Sequence, residues 1–143
     1  MRWPATLLPG GEGEALAHAA ERFIGAPFRP YGRCAERGLD CLGLVLVAMA
    51  DIGRPVRVPL RYTLRTVDPA RYRRLPESAG FVEAADHVLE PGDVLLFEPG
   101  PAQLHLAVVV PGGIVHAHAG LRRVVHTPFP LPWPVIGHWR LLA

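Results

Sequence analysis

The feature that most constrains the fold is an apolar segment that begins at a cysteine. Residues 41–49 are apolar, apart from a single glycine, and they directly follow Asp40. Aspartate is a favoured N-cap, and a segment that is apolar on all sides indicates a helix buried all round. Cys41 then lies in the first helical turn, where free backbone N–H groups and the helix dipole favour a nucleophilic thiolate. The alternative is a small buried side chain in a core helix.

The hydrophobic period changes from helical in the first half of the chain to strand-like in the second. Apolar residues recur at helical spacing over residues 14–24 and stop at Gly25. Helices followed by antiparallel strands indicate an α+β fold. We predict strands over residues 93–97, 105–110, 114–118, 124–127 and 135–141.

The length of the chain fits one domain. A chain of 143 residues is large enough to bury its own core, so we expect a single domain over residues 1–143. Residues 1–13, rich in proline and glycine, are predicted to form an N-terminal arm. We predict irregular structure over residues 55–69 and a short helix over residues 69–75.

Composition and charge argue against several classes of function. The formal net charge of +2 gives no basis for nucleic-acid binding. No apolar run approaches the roughly 18 residues of a membrane span, and the N-terminus is too short and proline-broken for a signal peptide. We therefore expect a protein made in the cytoplasm, without membrane insertion. Its two cysteines, Cys34 and Cys41, make no disulfide framework.

Histidines on two neighbouring predicted strands provide partners for the cysteine. His105 lies on the first strand, and His116 and His118 share one face of the second. A two-residue turn at 111–112 or 112–113 puts all three on one face of the sheet, whereas a three-residue loop puts them on opposite faces. With the turn at 111–112, His118 lies directly across from His105 and His116 is its diagonal neighbour. The sequence does not choose between these registers.

These residue types suit thiol catalysis. A thiolate nucleophile needs a base to accept its proton, and the base needs a polar partner to hold its ring in one tautomer. Cys41, His105 and His116 are candidates for the three roles. The alternative is a zinc site built from Cys41, His105 and the His-x-His pair. We expect no metal, because no carboxylate or second cysteine lies at ligand spacing.

Four blocks of the sequence occur in one order, and together they resemble a known family. They are Asp40-Cys41-Leu42-Gly43-Leu44-Val45, Pro91-Gly92-Asp93-Val94-Leu95-Leu96-Phe97, His105-Leu106-Ala107-Val108-Val109-Val110 and Val115-His116-Ala117. This order is similar to that of the NlpC family of papain-like cell-wall cysteine peptidases, over most of the chain from about residue 14. The residues around Gly25-Ala26-Pro27-Phe28-Arg29 resemble members encoded with phage tails and gene-transfer-agent particles.

The resemblance implies a papain-like fold and a set of catalytic roles. N-terminal helices, one carrying the cysteine at its N-terminus, would pack on an antiparallel sheet. Cys41 matches the nucleophile, His105 the general base and His116 the third, orienting residue. His118 is the rival third residue, because the turn after His105 is one residue shorter than in common members, and it is otherwise a candidate for substrate binding.

The resemblance also implies substrate-binding residues. Asp40 matches a position associated with recognition of the free amine of a peptide stem. Many members have a tyrosine where Phe28 falls, whose hydroxyl helps to bind the oxyanion, and Tyr31 is the alternative donor. The backbone N–H of Cys41 is a further donor.

The resemblance implies peptidoglycan as the substrate. We expect a cysteine peptidase that cuts stem peptides, commonly between γ-D-glutamate and the following diamino acid, through an acyl-enzyme and without a cofactor. It would act on the periplasmic cell wall, carried by a phage-tail-like particle. Two alternatives stay open: an amidase or acyltransferase on the same scaffold, and an inactive tail-tip module with a structural or wall-binding role.

Overall fold

The computed structural model describes residues 11–58, 76–84, 88–101 and 103–142. Within these ranges the chain forms two helices of 11 residues, α1 (Glu12–Arg22) and α2 (Cys41–Asp51), a short helical stretch over residues 76–78, and eight strands. No helix in this part of the chain combines the length and apolar character of a membrane span. The predicted α+β architecture is confirmed. The strands are β1 (Arg33–Cys34), β2 (Gly38–Leu39), β3 (Phe81–Glu83), β4 (Val94–Gly100), β5 (Gln103–Val110), β6 (Gly113–His118), β7 (Arg123–Pro128) and β8 (Val135–Leu141).

Helix α1 begins earlier than predicted. Glu12 and Glu14 occupy its first turn, where carboxylates interact favourably with the helix dipole, so residues 12 and 13 belong to the helix and not to an arm. The helix ends at Arg22, before Gly25, whose φ of 95° favours glycine. Residues 1–10 of the predicted arm lie outside the described residues. So do residues 59–75, with most of the predicted irregular segment and the predicted helix.

Six strands form one antiparallel sheet in the order β3-β8-β4-β5-β6-β7, and β1 and β2 form a separate hairpin. The strand β8 has the predicted bounds. The strand β4 begins one residue later than predicted and ends three residues later, and β5 to β7 extend beyond their predicted bounds by one or two residues. The strands β1, β2 and β3 were not predicted. Each has two or three residues, too few for an alternating pattern to stand out in the sequence.

The two faces of the sheet are covered differently. The helix face packs against α1 and α2 and contains the larger core, including Leu96, Leu106 and Val108. The opposite face, called the outer face below, contains a smaller hydrophobic cluster and is covered in part by Leu131 and Trp133. Its buried residues are Leu95, Phe97, Ala107, Val109 and Ile114.

The start of β4 is fixed by a buried ion-pair network. Asp93 is 1% exposed, and its carboxylate lies 2.5 Å from Nε2 of His138 and 3.0 Å from the guanidinium of Arg140, both on β8. The preceding Gly92 lies so close to α1 that a Cβ there would be 1.9 Å from the carbonyl oxygen of Gly13. The block around Pro91-Gly92-Asp93 therefore joins sheet and helix away from the cysteine.

Strands β5 and β6 separate toward one end. They are joined by the two-residue turn at 111–112, and their paired residues run from Val110–Gly113 to Val108–Val115. Beyond these pairs, β5 and β6 are no longer paired with each other. Residues 103–107 of β5 remain paired with β4, and residues 116–118 of β6 remain paired with β7, on the opposite edge of each strand. A fork therefore opens between β5 and β6 just where the candidate histidines lie.

Candidate active site

Cys41 is held at the N-terminus of α2 by the side chain of the preceding residue. Oδ1 of Asp40 accepts a hydrogen bond from the backbone N–H of Gly43 at 2.7 Å, which is an N-cap. The same oxygen accepts from Nη1 of Arg33 at 2.7 Å, and Oδ2 accepts from the backbone N–H of Tyr31 at 2.9 Å. One carboxylate therefore connects the helix start to the loop before it.

The loop also approaches α2 very closely. A Cβ on Gly43 would lie 1.9 Å from the carbonyl oxygen of Gly32, so only glycine fits at this position. The adjacent Tyr31 has a φ of 58°, an uncommon conformation for a non-glycine residue. Its N–H is bonded to Asp40, which supports that conformation.

Cys41 and His105 line one pocket of about 330 Å³ at the fork between β5 and β6. Cys41 reaches it from the helix face, whereas His105 belongs to the outer-face side of β5, which is the side of Ala107 and Val109. Because the two strands separate here, residues from both sides of the sheet share the pocket. Its other lining residues are Phe28, Pro30, Tyr31, Asp40, Pro99, Gln103, Leu104, Ala117 and Ala119.

A chain of hydrogen bonds leads from His105 across three strands. Nε2 of His105 lies 2.8 Å from Nδ1 of His116, and Nε2 of His116 lies 2.7 Å from Oγ1 of Thr127. His116 is 1% exposed. A single arrangement of protons satisfies the chain and leaves a base: Nε2–H of His105 donates to His116, and Nε2–H of His116 donates to Thr127. Nδ1 of His105 is then the nitrogen free to accept a proton.

His118 occupies a different environment. The turn at 111–112 is the register that would place His118 across from His105, but the paired residues end before either is reached. Nδ1 of His118 instead accepts a hydrogen bond from the backbone N–H of Leu121 at 3.0 Å. Among the described residues that line the pocket, Ala117 and Ala119 are present and His118 is not. The structure thus favours His116 over His118 as the partner of His105.

Trp133 packs against the two imidazoles from the outer face. Its ring makes edge-to-face contacts with His105 at 5.2 Å, with His116 at 5.7 Å and with Phe97 at 5.6 Å between ring centroids. The same rings also pack on each other, with 5.0 Å between the centroids of His105 and His116. The hydrogen bond between the histidines is therefore enclosed by aromatic rings.

Burial disfavours the charged forms of the cysteine and histidines at the pocket. Burial raises the pKa of the Cys41 thiol to about 12, although hydrogen bonds from the backbone N–H groups of Leu106 and Leu42 act to lower that pKa. Burial, together with the neighbouring histidines, lowers the pKa of His105 to about 3 and that of His116 to about 4. This shift runs opposite to the expected effect of the helix N-terminus, because burial favours the neutral thiol over the thiolate.

The structure also bears on the remaining candidates. Within the described parts of the chain, no group of three or more histidine, cysteine or acidic side chains is placed to hold a metal ion. Cys34 is an exposed free thiol on β1.

Of the candidate site residues, Cys41, His105, Asp40, Phe28 and Tyr31 meet at the pocket, and His116 joins them through His105. Sequence reasoning missed Thr127 and Trp133. Strand alternation was the one available signal for Thr127, because it pairs with Ile114, two residues before His116 on the same face. No comparable pattern marks Trp133, which lies in a loop.

Comparison with known proteins bears on the fold. Neither a family model nor a curated protein sequence matches this chain. Among solved structures, NlpC2 from Trichomonas vaginalis superposes with a TM-score of 0.67 at 20% identity, over 92% of this chain and 49% of that one. The NlpC/p60 domain of the peptidoglycan hydrolase SagA gives 0.57 at 23% identity, over 82% and 89% of the two chains.

A mycobacterial structure agrees with these two. The peptidoglycan hydrolase RipB from Mycobacterium tuberculosis gives a TM-score of 0.56 at 19% identity, over 98% of this chain and 72% of that one. This chain spans about half the length of NlpC2, at 49%, and most of the SagA domain. At these identities the likeness concerns the fold, and the chain has the papain-like fold of the NlpC/p60 structures.

Proposed function

We propose that this protein is a cysteine peptidase that hydrolyses peptide bonds in peptidoglycan stems. The observation that carries the proposal is the pocket in which Cys41, the first residue of α2, meets His105, whose Nε2 is hydrogen-bonded to His116 at 2.8 Å. This is the nucleophile, base and orienting group that thiol catalysis requires. The choice of peptidoglycan is supported by the shared fold of two peptidoglycan hydrolases, SagA and RipB.

The reaction proceeds through an acyl-enzyme. Nδ1 of His105 accepts the thiol proton while Sγ of Cys41 attacks the amide carbonyl, and the same imidazolium then protonates the leaving amine. A water, deprotonated by His105, cleaves the thioester and restores the thiol. Because burial disfavours the charged forms of Cys41 and His105, the proposed proton transfer accompanies attack on the bound substrate rather than preceding it.

The pocket offers groups for the carbonyl oxygen and for a substrate amine. The backbone N–H of Cys41, in the first turn of α2, is one donor to the oxyanion. Phe28 has no hydroxyl, so Tyr31, which lines the same pocket, is the proposed second donor. The Asp40 carboxylate also lines the pocket and would bind a free amino group near the bond to be cut.

We further propose the bond between γ-D-glutamate and the following diamino acid as the site of cleavage. A stem peptide with a free N-terminal amine suits a pocket with one carboxylate at its wall. The proposed place of action is the periplasmic cell wall, reached in association with a phage-tail-like particle. No cofactor takes part.

The experiment uses a synthetic stem tripeptide, L-alanyl-γ-D-glutamyl-diaminopimelate, and its N-acetylated twin, with products identified by mass spectrometry. The wild type and Cys34→Ala should release diaminopimelate, whereas Cys41→Ala and His105→Ala should release none. Activity should survive EDTA, and the acetylated peptide should be cut more slowly.

Several results would count against the proposal. Release by Cys41→Ala at the wild-type rate would remove the thiol from the mechanism. Loss of activity in EDTA with recovery in zinc would indicate a metal enzyme. Transfer of the acyl group to an added amine in place of water would indicate an acyltransferase, and no reaction with stem peptides or whole sacculi would indicate an inactive module.

A further inference from the structure

The loop between β7 and β8 places a tryptophan against the candidate catalytic histidines. Residues 129–134 read Phe129-Pro130-Leu131-Pro132-Trp133-Pro134, with a proline on each side of the tryptophan. Proline fixes its own φ and restricts the residue before it, so this segment has few conformations to lose. The backbone that carries Trp133 is therefore restricted.

Trp133 contacts both members of the histidine pair in the same way. The planes of the rings are inclined by 80° to His105 and by 86° to His116, so both contacts are edge-to-face. Such aromatic pairs contribute about 0.5–1.5 kcal/mol each beyond the burial of area. Because the Trp133 ring packs on both imidazoles, rotation of either one would disturb that contact.

We propose that Trp133 is a positioning residue for catalysis, which covers the hydrogen bond between His105 and His116 and holds the His105 ring toward Cys41. This role rests on the proposed peptidase function for its effect on rate, but its effect on the histidines is independent of any substrate. A hydrogen bond is stronger where water is excluded, since water competes for both nitrogens. Without Trp133, water would reach Nε2 of His105 from the outer face.

Water at the His105–His116 pair would also change the protonation state of His105. The titratable groups around His105 in the described chain are Cys41 at the start of α2, Asp40 and Tyr31 from the loop before it, and His116 and His118 from β6. Removing the cover restores solvation of the charged imidazole, so the pKa of His105 should rise from about 3 toward the ordinary 6.5. The base would then be lost to protonation at mildly acid pH.

The test compares Trp133→Ala with Trp133→Phe and with Leu131→Ala. Leu131 lies in the same loop and packs on the same outer-face cluster, so its truncation controls for lost packing. In Trp133→Ala we expect kcat on the stem peptide to fall by between about 10-fold and 100-fold with a smaller change in KM. The acid limb of its pH profile should move up, and Trp133→Phe should recover much of both.

A second readout needs no activity. Long-range proton–nitrogen NMR spectra report the tautomer of each histidine, and His105 should carry its proton on Nε2 in the wild type and in Leu131→Ala. In Trp133→Ala we expect a mixture of tautomers and titration at higher pH. If Trp133→Ala lowers only the melting temperature, with His105 tautomer and titration unchanged, Trp133 is a packing residue and the proposal is wrong. If the wild type cuts no peptide, the NMR result still decides the role of Trp133.

Discussion

At the scale of single residues, hydrogen bonds decide which ring nitrogen does chemistry: His116 uses both of its nitrogens in hydrogen bonds, and His105 uses one. The 2.8 Å contact occupies Nε2 of His105, so Nδ1 is the nitrogen that can act as the base. That assignment depends on His116 offering an unprotonated Nδ1, which in turn requires its proton on Nε2. In this arrangement the hydroxyl oxygen of Thr127 accepts a hydrogen bond from that Nε2–H at 2.7 Å, which supports this tautomer of His116.

Replacing Thr127 by valine tests this dependence. Valine keeps the shape but removes the oxygen, and the buried Nε2–H of His116 then lacks an acceptor. We expect kcat/KM on the stem peptide to fall by at least about tenfold, in line with other groups that orient a functional histidine. Thr127→Ser, which keeps the hydroxyl, is the control and should stay near the wild type. Equal rates for the valine and serine variants would show that Thr127 does not orient His116.

At the scale of elements, the start of α2 is defined by contacts with the loop before it. Gly43 permits the carbonyl oxygen of Gly32 to approach the helix, and Asp40 caps the helix while bonding the same loop. These contacts place Tyr31 and Cys41 at the same pocket. The geometry of the nucleophile is therefore tied to that of the proposed oxyanion donor.

Gly43→Ala should destabilise the protein although alanine is the better helix former. Helix propensity alone predicts a gain of about 1 kcal/mol, but the new Cβ would lie 1.9 Å from a backbone oxygen. We expect a net loss of about 1–3 kcal/mol in the free energy of unfolding, measured by urea denaturation, together with reduced kcat.

The control is Ala50→Gly at the exposed far end of α2, which should cost about 1 kcal/mol and leave the kinetics unchanged. A stabilised Gly43→Ala variant with normal kcat would show that the loop adapts freely.

The elements also show what a sequence can and cannot predict. The N-cap at Asp40, the helix after it and the strands β4 to β8 follow from local signals, which act between residues close in the chain. The fork between β5 and β6 does not, since alternation assigns faces but not where pairing stops. The sequence left His116 and His118 as rivals because it does not fix the register between the two strands. Trp133 was missed because no local pattern marks it, and Thr127 was missed although alternation places it on the face of His116.

At the scale of the whole molecule, the site imposes a pH dependence on folding. In the unfolded chain, His105 and His116 titrate near 6.5, whereas burial lowers their pKa values to about 3 and about 4 in the native protein. At pH values between the native and the unfolded pKa, the unfolded state binds more protons than the native state, so acid favours unfolding. For Cys41 the shift is opposite: its raised pKa means that stability is lost as pH rises above about 9.

The acid side of this dependence can be measured directly. From pH 7 to pH 5, each neutral buried histidine should reduce the free energy of unfolding by up to about 2 kcal/mol, because only the unfolded chain gains the proton. Urea denaturation at the two pH values measures the loss, and the double variant His105→Gln/His116→Gln should show a smaller one. His18→Gln, which removes an exposed histidine of α1, is the control and should keep the wild-type loss. A double variant with an undiminished loss would mean that other groups carry the acid sensitivity, and that the imidazoles are not neutral at pH 5.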